Sequence, residues 1–194
     1  MVNTTRFIAF LSLIGLVLLF SSCSDDEVLG CTDSQSSNFN PDANEDDGSC
    51  VFDRDAFIGE YLGTFTCQDP LLVTLLNNDS LRFEITPPVD DSDRSIVFFT
   101  LMIDGLPLPL ESTVSGNVLT VSDTIRDIVI PALDIPIVGT INITADVIGN
   151  GTATVVGDDI NGSIDLQLTI TEPTNNPLLP SEIIDNCLLT GSRQ

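Results

Sequence analysis

Apolar and polar residues alternate with a period of two over much of the second half of the chain. Residues 141–147 are apolar at every odd position, and residues 160–171 are apolar or glycine at every even one. Successive side chains of a β-strand point to opposite faces, so this alternation predicts strands with one buried and one solvated face. Asn150-Gly151 lies between the two stretches and is typical of a turn between antiparallel strands.

The same alternation runs through residues 57–67 and 81–86 in the first half. The apolar run at residues 71–76 is interpreted as a further strand, forming a hairpin with residues 81–86. Pro107 and Pro109 predict that residues 106–110 cannot form a central strand, because proline has no backbone N–H to donate. No stretch beyond the first 22 residues shows a convincing helical period.

Some eight to ten strands joined by hairpins are expected, which predicts an all-β fold over residues 55–190. Such an antiparallel meander can close into an up-and-down barrel or fold as a two-sheet β-sandwich, and the pattern leaves both open. In either case Phe65, Phe83, Ile143 and Leu166 are expected to point inward. They would either line a cavity for a small apolar ligand or fill the interior.

The first 22 residues have a different pattern. Arg6 is followed by the apolar stretch 7–20, which only Ser12 and Gly15 interrupt. A membrane-spanning helix needs roughly 20 apolar residues, whereas the core of a signal peptide has about 7–15. The length therefore favours a signal peptide over residues 1–22.

Small residues Ser21 and Ser22 precede Cys23, and this stretch resembles the lipobox of bacterial lipoproteins. The resemblance implies cleavage before Cys23 and acylation of that cysteine, which would anchor the chain to a membrane. Residues 23–29 then form an acidic tether. Its Ser-Asp-Asp-Glu sequence resembles the export signal that sends some lipoproteins to the outer face of the outer membrane.

Charge narrows the function further. The chain carries 29 acidic residues against six arginines, for a net charge of −23, and it has no histidine and no lysine. Such a surface repels phosphate backbones, so nucleic-acid binding is excluded as an expected function. Without histidine or lysine, His-based triads and Schiff-base chemistry are impossible, and we expect a non-enzymatic protein.

Four of the five cysteines follow Cys23, and an even number in an exported protein indicates disulfides. Of the three possible pairings we predict Cys31–Cys50 and Cys67–Cys187. The first pair brackets a compact acidic segment, and the second would tie the start of the β domain to its end.

The acidic segment, residues 30–53, has too few apolar residues to fold around a core. Asp42, Asn44 and Asp46 stand at alternate positions, as the first ligands of calcium loops do, and Asp53 falls where such a loop has its bidentate glutamate. Gly48 comes one place later than in an EF-hand, so the segment is not an EF-hand. A calcium site and a metal-free loop held by one disulfide both stay open.

This segment also resembles a small repeat of bacterial exported proteins, through its Gly-Cys-Thr-Asp start, its Asn-Phe-Asn-Pro-Asp-Ala middle and its Asp-Asp-Gly-Ser-Cys end. The resemblance implies a disulfide-closed, calcium-binding spacer. Residues 57–67 resemble the first strand of lipocalin-like domains, with Gly59 and Tyr61 matching the Gly-x-Trp element. That resemblance implies a barrel able to carry a small apolar ligand.

Two short motifs predict modification. Asp79-Ser80-Leu81 and Asp123-Thr124-Ile125 resemble the three-residue O-glycosylation motif of some bacteria. The resemblance implies O-linked glycans on Ser80 and Thr124.

Overall fold

A computed structural model describes residues 26–76, 81–103, 106–135, 138–173 and 176–194. The predictions for the signal peptide, for acylation of Cys23 and for glycosylation of Ser80 lie outside these residues.

The chain divides into two compact units. The described part of the smaller unit covers residues 26–34 and 38–50, in which strands β1 (Leu29–Gly30) and β2 (Glu45–Asp46) pair in parallel. The acidic segment was predicted to end at residue 53, but residues 51–53 belong to the larger unit. There Asp53 begins a 3-10 helix, Asp53–Ala56.

The larger unit is an eight-stranded closed barrel of antiparallel strands in meander order. Each strand pairs with the next along the chain, and the last pairs with the first. The strands are β3 (Gly59–Thr66), β4 (Leu81–Thr86), β5 (Ile96–Ile103), β6 (Leu106–Ser115), β7 (Val118–Ile135), β8 (Gly139–Val156), β9 (Asp159–Glu172) and β10 (Glu182–Arg193). The all-β antiparallel prediction is confirmed, and the strand order is that of a barrel and not of a sandwich. The turn predicted at Asn150-Gly151 was wrong, because both residues lie inside β8 and pair with β9.

The prediction of a strand at residues 71–76 was wrong, because helix α1 (Pro70–Leu76) forms there. The Asp69 carboxylate caps this helix, accepting hydrogen bonds from the backbone N–H of Leu71 at 2.8 Å and of Leu72 at 3.3 Å. Proline at the first helical position removes an N–H that would otherwise lack a partner. Among the described residues no helix is long and apolar enough to cross a membrane.

Pro107 and Pro109 lie inside β6, and the prediction that residues 106–110 form no central strand is confirmed, because only one neighbouring strand is bonded there. Strand β6 pairs with β5 along most of its length, but with β7 only from Ser112 to Ser115. The prolines therefore lie where β6 has one bonded neighbour, and their missing N–H groups cost no ladder hydrogen bond. The backbone N–H of Glu111, at the point of separation, donates instead to the Asp123 carboxylate at 2.9 Å.

Beyond Val121, β7 is bonded only to β8, and it is irregular there. The register shifts between Ile125 and Ile128 and again between Ile130 and Leu133, and Asp127 has a φ of 55°. Bulges of this kind twist a free strand edge and hinder its pairing with another chain.

Aromatic rings occupy one part of the barrel core. The Tyr61 and Phe83 rings stack with centroids 5.1 Å apart, and the Phe99 ring packs against Phe83 at 5.4 Å. Gly191 makes room for this cluster, because a Cβ atom there would lie 2.7 Å from Cζ of Phe83. The core is thus closely fitted around the rings.

Candidate functional site

Side chains in the smaller unit bond mainly to its own backbone. The Asn44 side chain accepts a hydrogen bond from the Val28 N–H at 2.9 Å and donates one to the Asp26 carbonyl at 3.1 Å. The Asp47 carboxylate accepts from the Ser49 N–H at 2.9 Å, and hydrogen bonds from Ser49 lower the pKa of Asp47. These bonds, with the Cys31–Cys50 disulfide, order a segment that has almost no core.

The four predicted calcium ligands are divided between the two units: Asp42, Asn44 and Asp46 lie in the smaller unit and Asp53 in the larger one. Asp46 accepts a hydrogen bond from the Gly48 N–H at 3.0 Å, and Asp53, in the larger unit, accepts one from the Gly116 N–H at 2.6 Å. Asp42 belongs to no metal-sized group of acidic, cysteine or histidine side chains within the described ranges. Calcium binding stays a prediction.

The second predicted disulfide, Cys67–Cys187, is formed in the larger unit, so both predicted pairings are confirmed. Asp185 lies beside it and completes a metal-sized group with the two sulfur atoms. Both sulfurs are used in the disulfide and are not thiolates, so the group does not offer the ligands that a metal would need. We call Cys67, Cys187 and Asp185 the clasp.

In the clasp the Asp185 carboxylate accepts hydrogen bonds from the backbone N–H groups of Gln68 at 2.5 Å and Asp69 at 2.7 Å. The bond from Asp69 is the largest cause of a lowered pKa at Asp185, because it favours the ionised carboxylate, while partial burial works against it. The clasp therefore fixes the chain directly before α1 begins.

Helix α1 covers part of the barrel interior with leucines. Leu71, Leu72, Leu75 and Leu76 are buried, and three of them line a cavity of about 30 Å³. Space of that size holds roughly one or two water molecules. The barrel side chains around the cavity are almost all apolar: Leu101, Leu108, Leu110, Ile125, Ile130, Val147, Leu166 and Leu168.

The four side chains predicted to point inward do so. Phe65, Phe83, Ile143 and Leu166 are 7%, 1%, 1% and 5% exposed. They belong to one continuous cluster of buried apolar residues in the barrel. The rings and aliphatic chains thus pack against one another in the space where a barrel ligand would lie.

The residues that carry the lipocalin resemblance lie where β10 closes onto β3. Tyr61 donates its hydroxyl to the Phe57 carbonyl at 2.7 Å, and Arg193 Nη2 donates to the Tyr61 oxygen at 2.9 Å. Arg193 also donates to the Ala56 carbonyl. A Cβ atom on Gly59 would lie 3.1 Å from Arg193 Cδ, so glycine gives the arginine room. Arg193 was not predicted as a site residue, although arginine is scarce in this chain.

Arg54 was also missed, and it is only 4% exposed. Its guanidinium forms an ion pair with Asp91, which Arg94 contacts as well. The Phe52 ring lies 5.9 Å from Arg54 Cζ and 4.8 Å from Arg94 Cζ. The group fastens the loop before β5 to the 3-10 helix, and no pattern of period two could have signalled it.

The outer face of β3 and β4 carries a groove of about 350 Å³. Glu60 lies opposite Glu84 in the strand register, and Leu62 lies opposite Arg82. Met102 and Gln194 also line the groove, which we call the β3–β4 groove. The alternation predicted that Glu60, Arg82 and Glu84 face outward, but it could not show that they surround one hollow.

Thr124 is exposed on β7, and its backbone N–H donates to the carboxylate of Asp123 at 2.6 Å. The residue is thus on the surface, as a modified threonine must be. Glycosylation of Thr124 stays a prediction.

Comparisons of the chain with models of protein families, with curated proteins and with solved structures found no match. A functional assignment therefore depends on the residues and geometry described above.

Proposed function

We propose that this chain is a lipid-anchored, non-enzymatic binding or interaction module on the outer face of a bacterial outer membrane. The anchor in this proposal is Cys23, which follows an apolar stretch of signal-peptide length and two serines. Two disulfides agree with an oxidising compartment outside the cytoplasm. The acidic residues after Cys23 support the outward orientation.

The packed barrel interior is the observation that most favours an interaction module. Pockets for small ligands typically measure about 300–1,000 Å³. The cavity beneath α1 has about 30 Å³, a small fraction of that range. Binding by a barrel with a filled interior has to use its outer surface, where the strongly acidic composition would select cationic or zwitterionic partners.

The non-enzymatic part of the proposal comes from the residue inventory. The chain has no histidine or lysine to serve as base or amine nucleophile. Of its carboxylates, Asp53, Asp123 and Asp185 accept hydrogen bonds from backbone N–H groups and so have structural roles.

Metabolic labelling with a clickable fatty acid tests the anchor. We expect the full-length chain to be labelled and Cys23→Ala to be unlabelled, with a Ser24→Ala variant labelled normally as the matched control. Protease treatment of intact cells should then degrade the labelled protein if it faces outward. An unlabelled wild-type chain, or label that survives Cys23→Ala, would overturn the proposal.

A second candidate function is transport of a small apolar ligand. The observation in its favour is the apolar cavity covered by α1, a helix of seven residues that could move to enlarge it. Native mass spectrometry of protein purified from its own membrane tests this candidate. A co-purifying lipid that is lost when Leu75 is replaced by tryptophan, which would fill the cavity, would favour the carrier over the interaction module.

A further inference from the structure

Three charged side chains line the β3–β4 groove without a partner. Glu60, Arg82 and Glu84 make no side-chain hydrogen bond or ion pair with any residue that the structure describes. Glu60 and Arg82 are exposed, and Glu84 is half-buried. They are thus free to bind something other than the protein itself.

Arg82 differs in this respect from the other arginines of the described chain. Arg54 and Arg94 bind Asp91, Arg126 lies 3.8 Å from Asp146, and Arg193 bonds to Tyr61. Three of these four arginines thus have a carboxylate partner, and the fourth bonds to a hydroxyl and a carbonyl. Arg82 is directly opposite Leu62, so its closest cross-strand neighbour offers no charge.

The two glutamates of the groove repel each other, whereas Arg82 lacks a partner. Glu60 and Glu84 are direct cross-strand partners. Like charges at such positions destabilise a sheet, because the two side chains are close and repel each other. A cation held between the carboxylates would remove this repulsion.

The groove therefore presents an anion acceptor and a cation acceptor at a defined spacing. Arg82 and Glu84 are two residues apart on β4, which corresponds to about 7 Å along a strand. An extended dipeptide also spans at most about 7 Å. Leu62, 37% exposed, and Met102 supply apolar surface beside the charges, where a ligand side chain can lie.

We propose that the β3–β4 groove binds a zwitterionic ligand of dipeptide size, with its carboxylate on Arg82 and its ammonium group between Glu60 and Glu84. The guanidinium of arginine suits a carboxylate because it donates two parallel hydrogen bonds. A simple anion would be repelled by the net charge of −23 and by the two glutamates. A simple cation would leave Arg82 unpaired beside it.

This inference rests on the proposed binding function and names a ligand class for it. Saturation-transfer difference NMR with L-alanyl-L-leucine, on the full-length chain in detergent, tests it. We expect saturable binding in the range of about 0.1–10 mM, as suits a small ligand on an open groove. The N-acetylated peptide, the peptide amide and free leucine should each bind at least about tenfold more weakly, because each lacks one charge or the spacing.

Variants locate the site. Arg82→Gln and Glu84→Gln should each weaken binding at least about tenfold, and Arg82→Lys should be intermediate because it keeps the charge but loses the paired hydrogen bonds. Arg126→Gln is the matched control, since Arg126 is 73% exposed and outside the groove, and it should bind like wild type. Circular dichroism confirms that each variant is folded.

Equal binding of the capped peptides, binding that survives Arg82→Gln, or no saturable binding at about 10 mM would overturn the inference. Fatty-acid labelling of Cys23 is independent of the groove, so failure of the groove leaves the anchored module standing. Absence of labelling together with intact peptide binding would overturn the lipid anchor and leave the groove standing.

Discussion

The two units of this chain each contain one disulfide, but the disulfide has a different task in each. In the smaller unit, Cys31–Cys50 spans 19 residues of a segment whose large apolar side chains are exposed, with Leu29 57% and Phe39 42% accessible. In the barrel, Cys67–Cys187 spans 120 residues and lies within a continuous apolar core. The same bond supports a fold in one case and supplements it in the other.

The difference shows how a chain can be ordered without a core. The side chains of Asn44, Asp46 and Asp47 accept hydrogen bonds from nearby backbone N–H groups, and these bonds hold the loops of the smaller unit. Each such bond contributes only about 1 kcal/mol, so the cross-link has to restrict the unfolded chain as well. The barrel depends on buried apolar area, which is worth about 25 cal/mol per Å².

The largest expected effect comes from removing the barrel disulfide. Loop-closure entropy predicts that Cys67→Ser with Cys187→Ser lowers the free energy of unfolding by roughly 5 kcal/mol, because the closed loop is long. We nevertheless expect a folded barrel, since the apolar core remains. Urea unfolding followed by circular dichroism measures both, and an unfolded variant in the absence of denaturant would show that the core alone is insufficient.

A core substitution sharpens the contrast between the units. Phe83→Ala removes a ring that contacts both Tyr61 and Phe99, and we expect a loss of about 4 kcal/mol. Phe39→Ala in the smaller unit is the matched control, because Phe39 is 42% exposed, and it should cost less than about 0.5 kcal/mol. Similar losses at the two sites would break the comparison.

Removing the Cys31–Cys50 disulfide should lower the free energy of unfolding by less than removing the barrel disulfide, but it should unfold the smaller unit. Cys31→Ser with Cys50→Ser forfeits roughly 3 kcal/mol of loop-closure entropy, and the smaller unit has no core to compensate. Amide hydrogen exchange should therefore lose all protection over residues 26–34 and 38–50. Protection that persists there would point to another stabiliser, and its loss on adding EDTA would support the predicted calcium site.

Removing the Asp185 carboxylate of the clasp should have the smallest effect on the free energy of unfolding, and this effect should depend on pH. Asp185→Ala removes two hydrogen bonds to backbone N–H groups at a half-buried site, and we expect a loss of about 1–2 kcal/mol. Asp90→Asn, on an exposed loop, is the control and should change the stability by less than about 0.5 kcal/mol.

The direction in which stability changes with pH follows from the lowered pKa of Asp185 in the folded protein. Its contribution is complete above the unfolded pKa of about 3.9 and disappears as the pH falls through the lower folded value. Urea unfolding at several pH values should thus show wild type and Asp185→Ala converging in acid. A difference that stays constant would exclude the carboxylate as its source.

Several features of the fold could be predicted because they depend on local pattern. The alternation at residues 160–171 appears as β9, and the inward positions of Phe83 and Ile143 follow from the same period of two. Cysteine number and position were enough for both disulfides. The run at residues 71–76 was misassigned because a short apolar segment has the same composition in a buried helix and in a strand.

Other features could not be predicted, because they depend on which strands become neighbours. Pro107 and Pro109 are tolerated only because β7 separates from β6 at Ser112. Arg54 is buried because Asp91 reaches it from a distant loop. The charges of the β3–β4 groove lie together because the strand register places Glu60 opposite Glu84.

By itself, then, the amino-acid sequence determined the all-β fold class, the buried face of most strands, the two disulfides and the acidic character of the surface. These follow from residue type and from spacing along the chain. Only the tertiary structure decided that the sheet closes into a barrel, that α1 covers part of its interior, and that unpaired charges meet in one groove. Those outcomes depend on register and on contacts between residues far apart in sequence, which periodicity does not encode.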